Sequence, residues 1–208
     1  MFIVSAPATD RNLLTLAEMK AALGIAGSGS DAALATLGLQ ISDMIARECS
    51  VAADGVTAPT LRRETIIETF RLERRVNPLR LARRFVESIT SIVEADVALT
   101  GADYEAEKAA GLINRLDASG GVVCWPATKI VITYLAGFAT VPESLKLAAI
   151  TVLREQWSAA SRDPLLRRER VDGVSEMEFW VNSSSGSAMS ALSGVAASML
   201  HPYRSVAI

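Results

Sequence analysis

The chain has 208 residues, 50% hydrophobic and 21% charged, which is enough apolar material for one core with an elaboration or for two small domains, and too much for a disordered chain. Its net charge of −2 excludes a strong overall bias toward nucleic acid or an anionic membrane. Cys49 and Cys124, outside any metal-ligand spacing, exclude a zinc ribbon and read as two buried free thiols.

In chain order, Thr15-Leu16-Ala17-Glu18 forms a capping-box pattern with Leu14 and Met19 as its hydrophobic staple, and predicts a helix from about Leu16 to Leu23 capped by Gly24. The Gly27–Ser30 stretch is a connection that ends on an N-cap at Ser30. Leu34, Leu37, Ile41, Met44 and Ile45 then recur at helical spacing, which predicts a second helix to about Glu48. From Val51 to Thr140 the pattern turns to short extended runs. Strands are predicted at Glu64–Leu72, Ser88–Val93, Leu112–Leu116 and Lys129–Leu135, separated by Asp54-Gly55, Asn77-Pro78, Thr100-Gly101 and Gly120-Gly121.

Gly137 closes the last of these strands, and a long helix follows, with Pro142 and Glu143 in its first turn and Leu145, Ala148, Ala149, Val152 and Leu153 on one broad face. Asp163-Pro164 ends it. Residues 170–181 read as another extended piece, Ser183 to Ser187 as a polar hinge. Beyond the hinge, Met189, Leu192, Ala196 and Met199 align on one side of a short helix too meagre to stand alone. The expectation is an α+β protein: a helical platform of about three to four helices with an inserted β-rich region and a C-terminal arm. Its boundaries are 1–50 for the N-terminal helices, 51–141 for the insertion, 142–163 for the platform helix and 164–208 for the extended segment and arm.

The chemistry is sparse. The single histidine, His201, lies near the end beside Pro202, and no nucleophile elbow, P-loop or dinucleotide fingerprint occurs. Asp103, Glu105 and Glu107 alternate as metal ligands or a glycosidase pair could, but with no second cluster they read as a solvated loop. Asp54-Gly55 and Asp172-Gly173 read as turns. No catalytic, metal or cofactor residue is assigned. Arginine supplies 17 of the 21 basic residues, clustered at Arg62-Arg63, from Arg71 to Arg84 and from Arg162 to Arg170. Arg71, Arg74, Arg75, Arg80, Arg83 and Arg84 are the candidates for a subunit interface or channel surface, with plain solvation and DNA contact as the alternatives. No secretory signal pattern opens the chain, and every long apolar run breaks before the roughly 18 residues a membrane helix needs. Synthesis in a reducing cytoplasm, without membrane contact, is expected.

The order LLTLAEMKAALGI, a helix from Asp31, TAPTLRRETI, LRLARRFVESITSIVE, DYEAE…GLINRL…W and the strand–turn–helix from Lys129 to Trp157 resembles the head-tail connector, or adaptor, proteins of tailed bacteriophages and gene transfer agents. The closing LHPYR is similar to the end of such adaptors, while the usual proline of their R-x-P-V type segment is Phe85 here. The resemblance implies a non-enzymatic ring of about twelve copies between a portal protein and a downstream tail or stopper protein, continuing the DNA channel, with non-specific DNA contact inside it. It implies assembly in the bacterial cytoplasm and residence in the particle neck. An arm carrying Met189, Leu192, Ala196, Met199 and Tyr203 would order on the portal. A DNA-binding accessory protein and an enzyme with an unrecognised active site are the other classes this sequence admits.

Overall fold

The computed structural model describes residues 1–160, 168–171, 175–178, 192 and 194–205. The fold is α+β, and the chain divides into two compact units, each assembled from separated stretches of sequence: residues 1–11, 49–142 and 204–208 form one, and residues 12–48 and 143–203 form the other.

The first unit is built on two antiparallel sheets. Strands β1 (Phe2–Ala6), β2 (Glu64–Arg71), β9 (Lys129–Ala136), β4 (Val86–Glu94) and β5 (Val97–Ala98) lie in that order in one sheet. The second has the order β3 (Leu79–Arg80), β7 (Leu112–Leu116), β6 (Tyr104–Glu107), and β8 (Val122–Val123) also pairs with β7. Alternation explains the central strand: Ile130, Ile132, Tyr134 and Ala136 of β9 all point inward and are buried, while the residues between them are half-buried. On β2 the inward positions are Glu64, Ile66 and Glu68, so two carboxyl groups enter the core beside Ile66. Register shifts between Val86 and Ser88 and between Ile89 and Ser91 put two irregularities into β4. Trp125 is fully buried; its indole N–H donates to the Ile113 carbonyl at 2.9 Å, and its backbone bridges Val76 in both directions. One hydrophobic cluster, including Leu79, Ile92, Ile113 and Trp125, draws on both sheets.

Gly137 ends β9 at φ +94, and a Cβ there would stand 2.4 Å from the Arg62 carbonyl oxygen. Only glycine lets the chain turn this closely against Arg62. Phe85 also adopts a left-handed φ of +57. Proline, whose ring fixes φ near −65°, cannot take that conformation, so the departure from the R-x-P-V pattern coincides with a backbone geometry that excludes it.

The second unit holds α1 (Leu16–Leu23), α2 (Asp31–Glu48), α3 (Glu143–Ala160), α4 (Gly194–Leu200) with the 3-10 turn His201–Tyr203, and a hairpin of β10 (Arg168–Val171) and β11 (Ser175–Glu178). The capping box is present as expected: Thr15 Oγ1 accepts from the Glu18 N–H at 3.2 Å, and Glu18 Oε2 accepts from the Thr15 N–H at 2.7 Å. Helix α3 packs on α1, α2 and α4. Met19, Leu34, Ile45, Leu145 and Leu153 are fully buried. Lys20 pairs with Asp31 at 2.8 Å and Lys146 with Glu18 at 2.8 Å, tying α1 to α2 and to α3.

Several expectations need correction. The first eleven residues belong with the sheets, because Phe2-Ile3-Val4 supplies a β-branched edge strand that pairs with β2. The described part of the expected C-terminal arm up to Tyr203 lies within the helical unit: Leu192, Ala196 and Leu200 are buried, and α4 contacts α3 and α2. Cys49 is buried as expected, but Cys124 is exposed. The Ser183–Ser187 hinge and Met189 lie outside the described residues.

Candidate interaction surface

The six arginines singled out between residues 71 and 84 separate into two environments. Arg83 lies inside the sheet unit, 5% exposed. Its guanidinium donates to the Thr60 carbonyl at 2.7 Å and to Glu64 Oε2 at 3.1 Å, and lies 5.7 Å from the centroid of the Phe2 ring. Glu64 Oε1 accepts from the Ala8 N–H at 3.2 Å. On the same strand, Glu68 Oε2 accepts from Tyr134 Oη at 3.0 Å and from the Ala82 N–H at 3.0 Å. Burial raises the Glu68 carboxyl above its ordinary range, and burial with Glu68 as neighbour raises the Tyr134 phenol far above its own. This network fastens β1, β2, β9 and the segment after β3 to one another.

Arg84 is engaged too: Nε donates to the Ala109 carbonyl at 3.3 Å, a terminal nitrogen donates to the Arg204 carbonyl, and the guanidinium stacks 5.0 Å from the centroid of the Phe85 ring. Phe85 in turn meets Phe138 with ring centroids 5.0 Å apart.

Arg71, Arg74, Arg75 and Arg80 are all exposed, and their side chains hold no ion pair or hydrogen bond among the described residues. Their segment is nevertheless fixed. Leu72 donates its N–H to Thr128, Val76 is bridged to Trp125, and Leu79 is buried opposite Ile113 on β7. Arg80 and Arg84 border a cleft of about 210 Å³ with Leu81, Ala82 and Ser205.

In the helical unit, a groove of about 470 Å³ between α1 and α3 has Ala22, Leu147 and Ile150 in its lining, and Lys146 at its edge bridges Glu18 and Glu143. Met199 and Tyr203 are half-buried, the Tyr203 hydroxyl hydrogen-bonding Ser144. Glu105 and Glu107 lie exposed on β6, whereas Asp103 receives the Thr100 hydroxyl and N–H, which hold its carboxyl below the usual range. Among the described residues, no group of three or more His, Cys, Asp or Glu side chains is placed to hold a metal ion, and no helix is long and apolar enough to cross a membrane.

No family model and no curated protein matches the chain. Solved structures do. A chain in the neck of an empty gene transfer agent particle, computed with C6 symmetry, superimposes with a TM-score of 0.58 at 20% identity, over all of this chain and 97% of that one. Its fold is that of a gene transfer agent neck chain. The neck of a native particle computed with C12 symmetry, and the virion of the native particle, each give a TM-score of 0.55 at 16% identity, again over 100% of this chain and 97% of the other. The resemblance read from the residues is thus met at the level of the fold.

What the sequence missed is the Glu64–Arg83 and Glu68–Tyr134 network. A signal was there, since Glu64 and Glu68 occupy the same face as Ile66 in a period-two strand. The partner Arg83, nineteen residues further on, could not be read from spacing.

Proposed function

We propose that this protein is a structural neck component of a gene-transfer-agent-like or phage-like particle, an adaptor that closes into a ring between portal and tail and continues the DNA channel. The observation that carries the reading is the full-length match to neck chains, with almost nothing left over on either side. Those necks were computed with C6 and C12 symmetry, and a cyclic ring needs a heterologous interface whose rotation closes. Ring formation around a pre-existing portal makes binding and sealing, rather than bond chemistry, the work of the molecule. It is made in the bacterial cytoplasm and ends in the particle.

Among the described residues of the arm, half-buried Met199 and Tyr203 are left to meet a portal, because Leu192 and Ala196 are covered within the chain's own helical unit. The deciding experiment mixes the purified protein with its portal and images the product by electron microscopy. A ring of sixfold or twelvefold symmetry seated on the portal is expected; a protein that stays monomeric beside the portal, together with complete necks in particles lacking its gene, would overturn the reading.

A further inference from the structure

We infer that the segment from Arg71 to Arg80 is a docking strip for the phosphate backbone of duplex DNA. Most other arginines of known placement are already engaged: Arg63 with Glu87, Arg47 with Asp43, Arg115 with Glu94, Arg83 with Glu64, and Arg84 and Arg154 with backbone carbonyls. Arg71, Arg74, Arg75 and Arg80, without an acceptor among the described residues, fall within ten consecutive positions, accompanied by one acid, Glu73. In a chain of net charge −2, that strip is positive.

The strip is also stiff. Leu72, Val76 and Leu79 pack into or against the core, and the Val76–Trp125 bridge holds its middle, so the guanidinium groups project from an anchored ribbon. That lowers the entropy lost when they are immobilised on a ligand. The ligand's class follows from what surrounds the charges. Protein interfaces centre on apolar side chains and are depleted of charge at the core. Here Arg71, Glu73, Arg74, Arg75, Asn77, Pro78 and Arg80 are exposed, whereas the larger apolar residues of the strip turn inward. A surface that is positive, polar and open to water suits nucleic acid, and the planar guanidinium fork suits a phosphate oxygen pair. Nothing in the strip is arranged to read base edges, so the contact is sequence-independent.

The inference rests on the neck reading only for the source of the duplex. Its test uses the full-length protein and a fluorescent duplex of arbitrary sequence, with affinity measured by anisotropy over a salt series. Each phosphate contact contributes about 0.9 to the slope of log affinity against log salt. The variant R71Q/R74Q/R75Q/R80Q should therefore lower that slope by about three to four units, and the corresponding lysine variant should restore it. R47Q and R63Q, which remove guanidinium groups held by carboxylates, should leave it unchanged. Absence of duplex binding by the wild type, or an equal slope in the glutamine variant, overturns the inference. A glutamine variant that keeps the slope but no longer forms rings with the portal assigns the strip to a protein contact and also overturns it. A reduced slope in a protein that never enters necks supports the inference while removing the neck reading.

Discussion

Arg83 looked from the sequence like its neighbours in a basic run, and the structure gives it a different task. With Glu64 almost fully buried at 3.1 Å, the pair is stable only while both partners are present. Replacing one strands a charge out of water, a change that costs about 3–5 kcal/mol. Arg83→Met should lower the urea midpoint accordingly, before any assembly is tested. A variant of near wild-type stability that fails only in ring formation would return Arg83 to the interface. Glu68 permits a pH experiment. Its folded-state carboxyl is raised above the ordinary value of 4.5 because burial disfavours the charge. As pH climbs from that ordinary value to the raised one, the unfolded chain has released this proton and the folded chain still holds it. Stability from this group therefore falls across that window and is level above it. Glu68→Gln should flatten the decline, measured as urea midpoints from acid to neutral pH against the wild type; an identical slope in the two proteins would rule out this titration. Neither role is legible from single positions, because each depends on a partner distant in sequence.

Helices were legible where their signals are local. The Thr15–Glu18 box, the Gly24 cap and the Leu34–Ile45 spacing sit within a few turns of one another, and α1 and α2 run as expected. Strands were legible when long: β2, β7 and β9 carry enough alternation, whereas β3, β5 and β8 have two residues each and no period to read. Helix α4 is the informative failure. Its small, serine-rich surface predicted an arm awaiting an external partner, yet Ala196 and Leu200 find their apolar neighbours in the chain's own α3 and α2. A short weak helix needs a docking surface, and sequence alone did not reveal that the surface was internal. Leu200→Ala should consequently cost about 2–5 kcal/mol in thermal or urea unfolding of the isolated protein. Loss of portal attachment at unchanged stability would place Leu200 outside the core and restore the arm expectation.

At the scale of the whole chain, the order of elements was what the sequence showed best, and the full-length match to neck structures agrees with that order. The division into units was only half visible, since composition marks a β-rich stretch but does not show that residues 1–11 belong to it. A fragment of residues 1–142 tests the division. It contains nearly all of the sheet unit, with Trp125 as its internal fluorophore, and lacks α3, against which α1 and α2 pack. Its tryptophan emission should remain that of a buried indole, while hydrogen exchange should find residues 12–48 unprotected. Protected helices in the fragment would mean that α1 and α2 fold without α3.

The same discontinuity sets a timetable for synthesis. Once α2 has left the ribosome, residues 49–142 must follow it out before α3 emerges, a wait of roughly 5–20 s at elongation rates of about 5–20 residues per second. Through that interval the faces of α1 and α2 that pack on α3 lack it, while the sheet unit can close around Trp125. The nascent chain is thus sticky at its amino-terminal side for seconds in every round of translation, and slowing elongation through the sheet-coding region should increase its capture by holding chaperones.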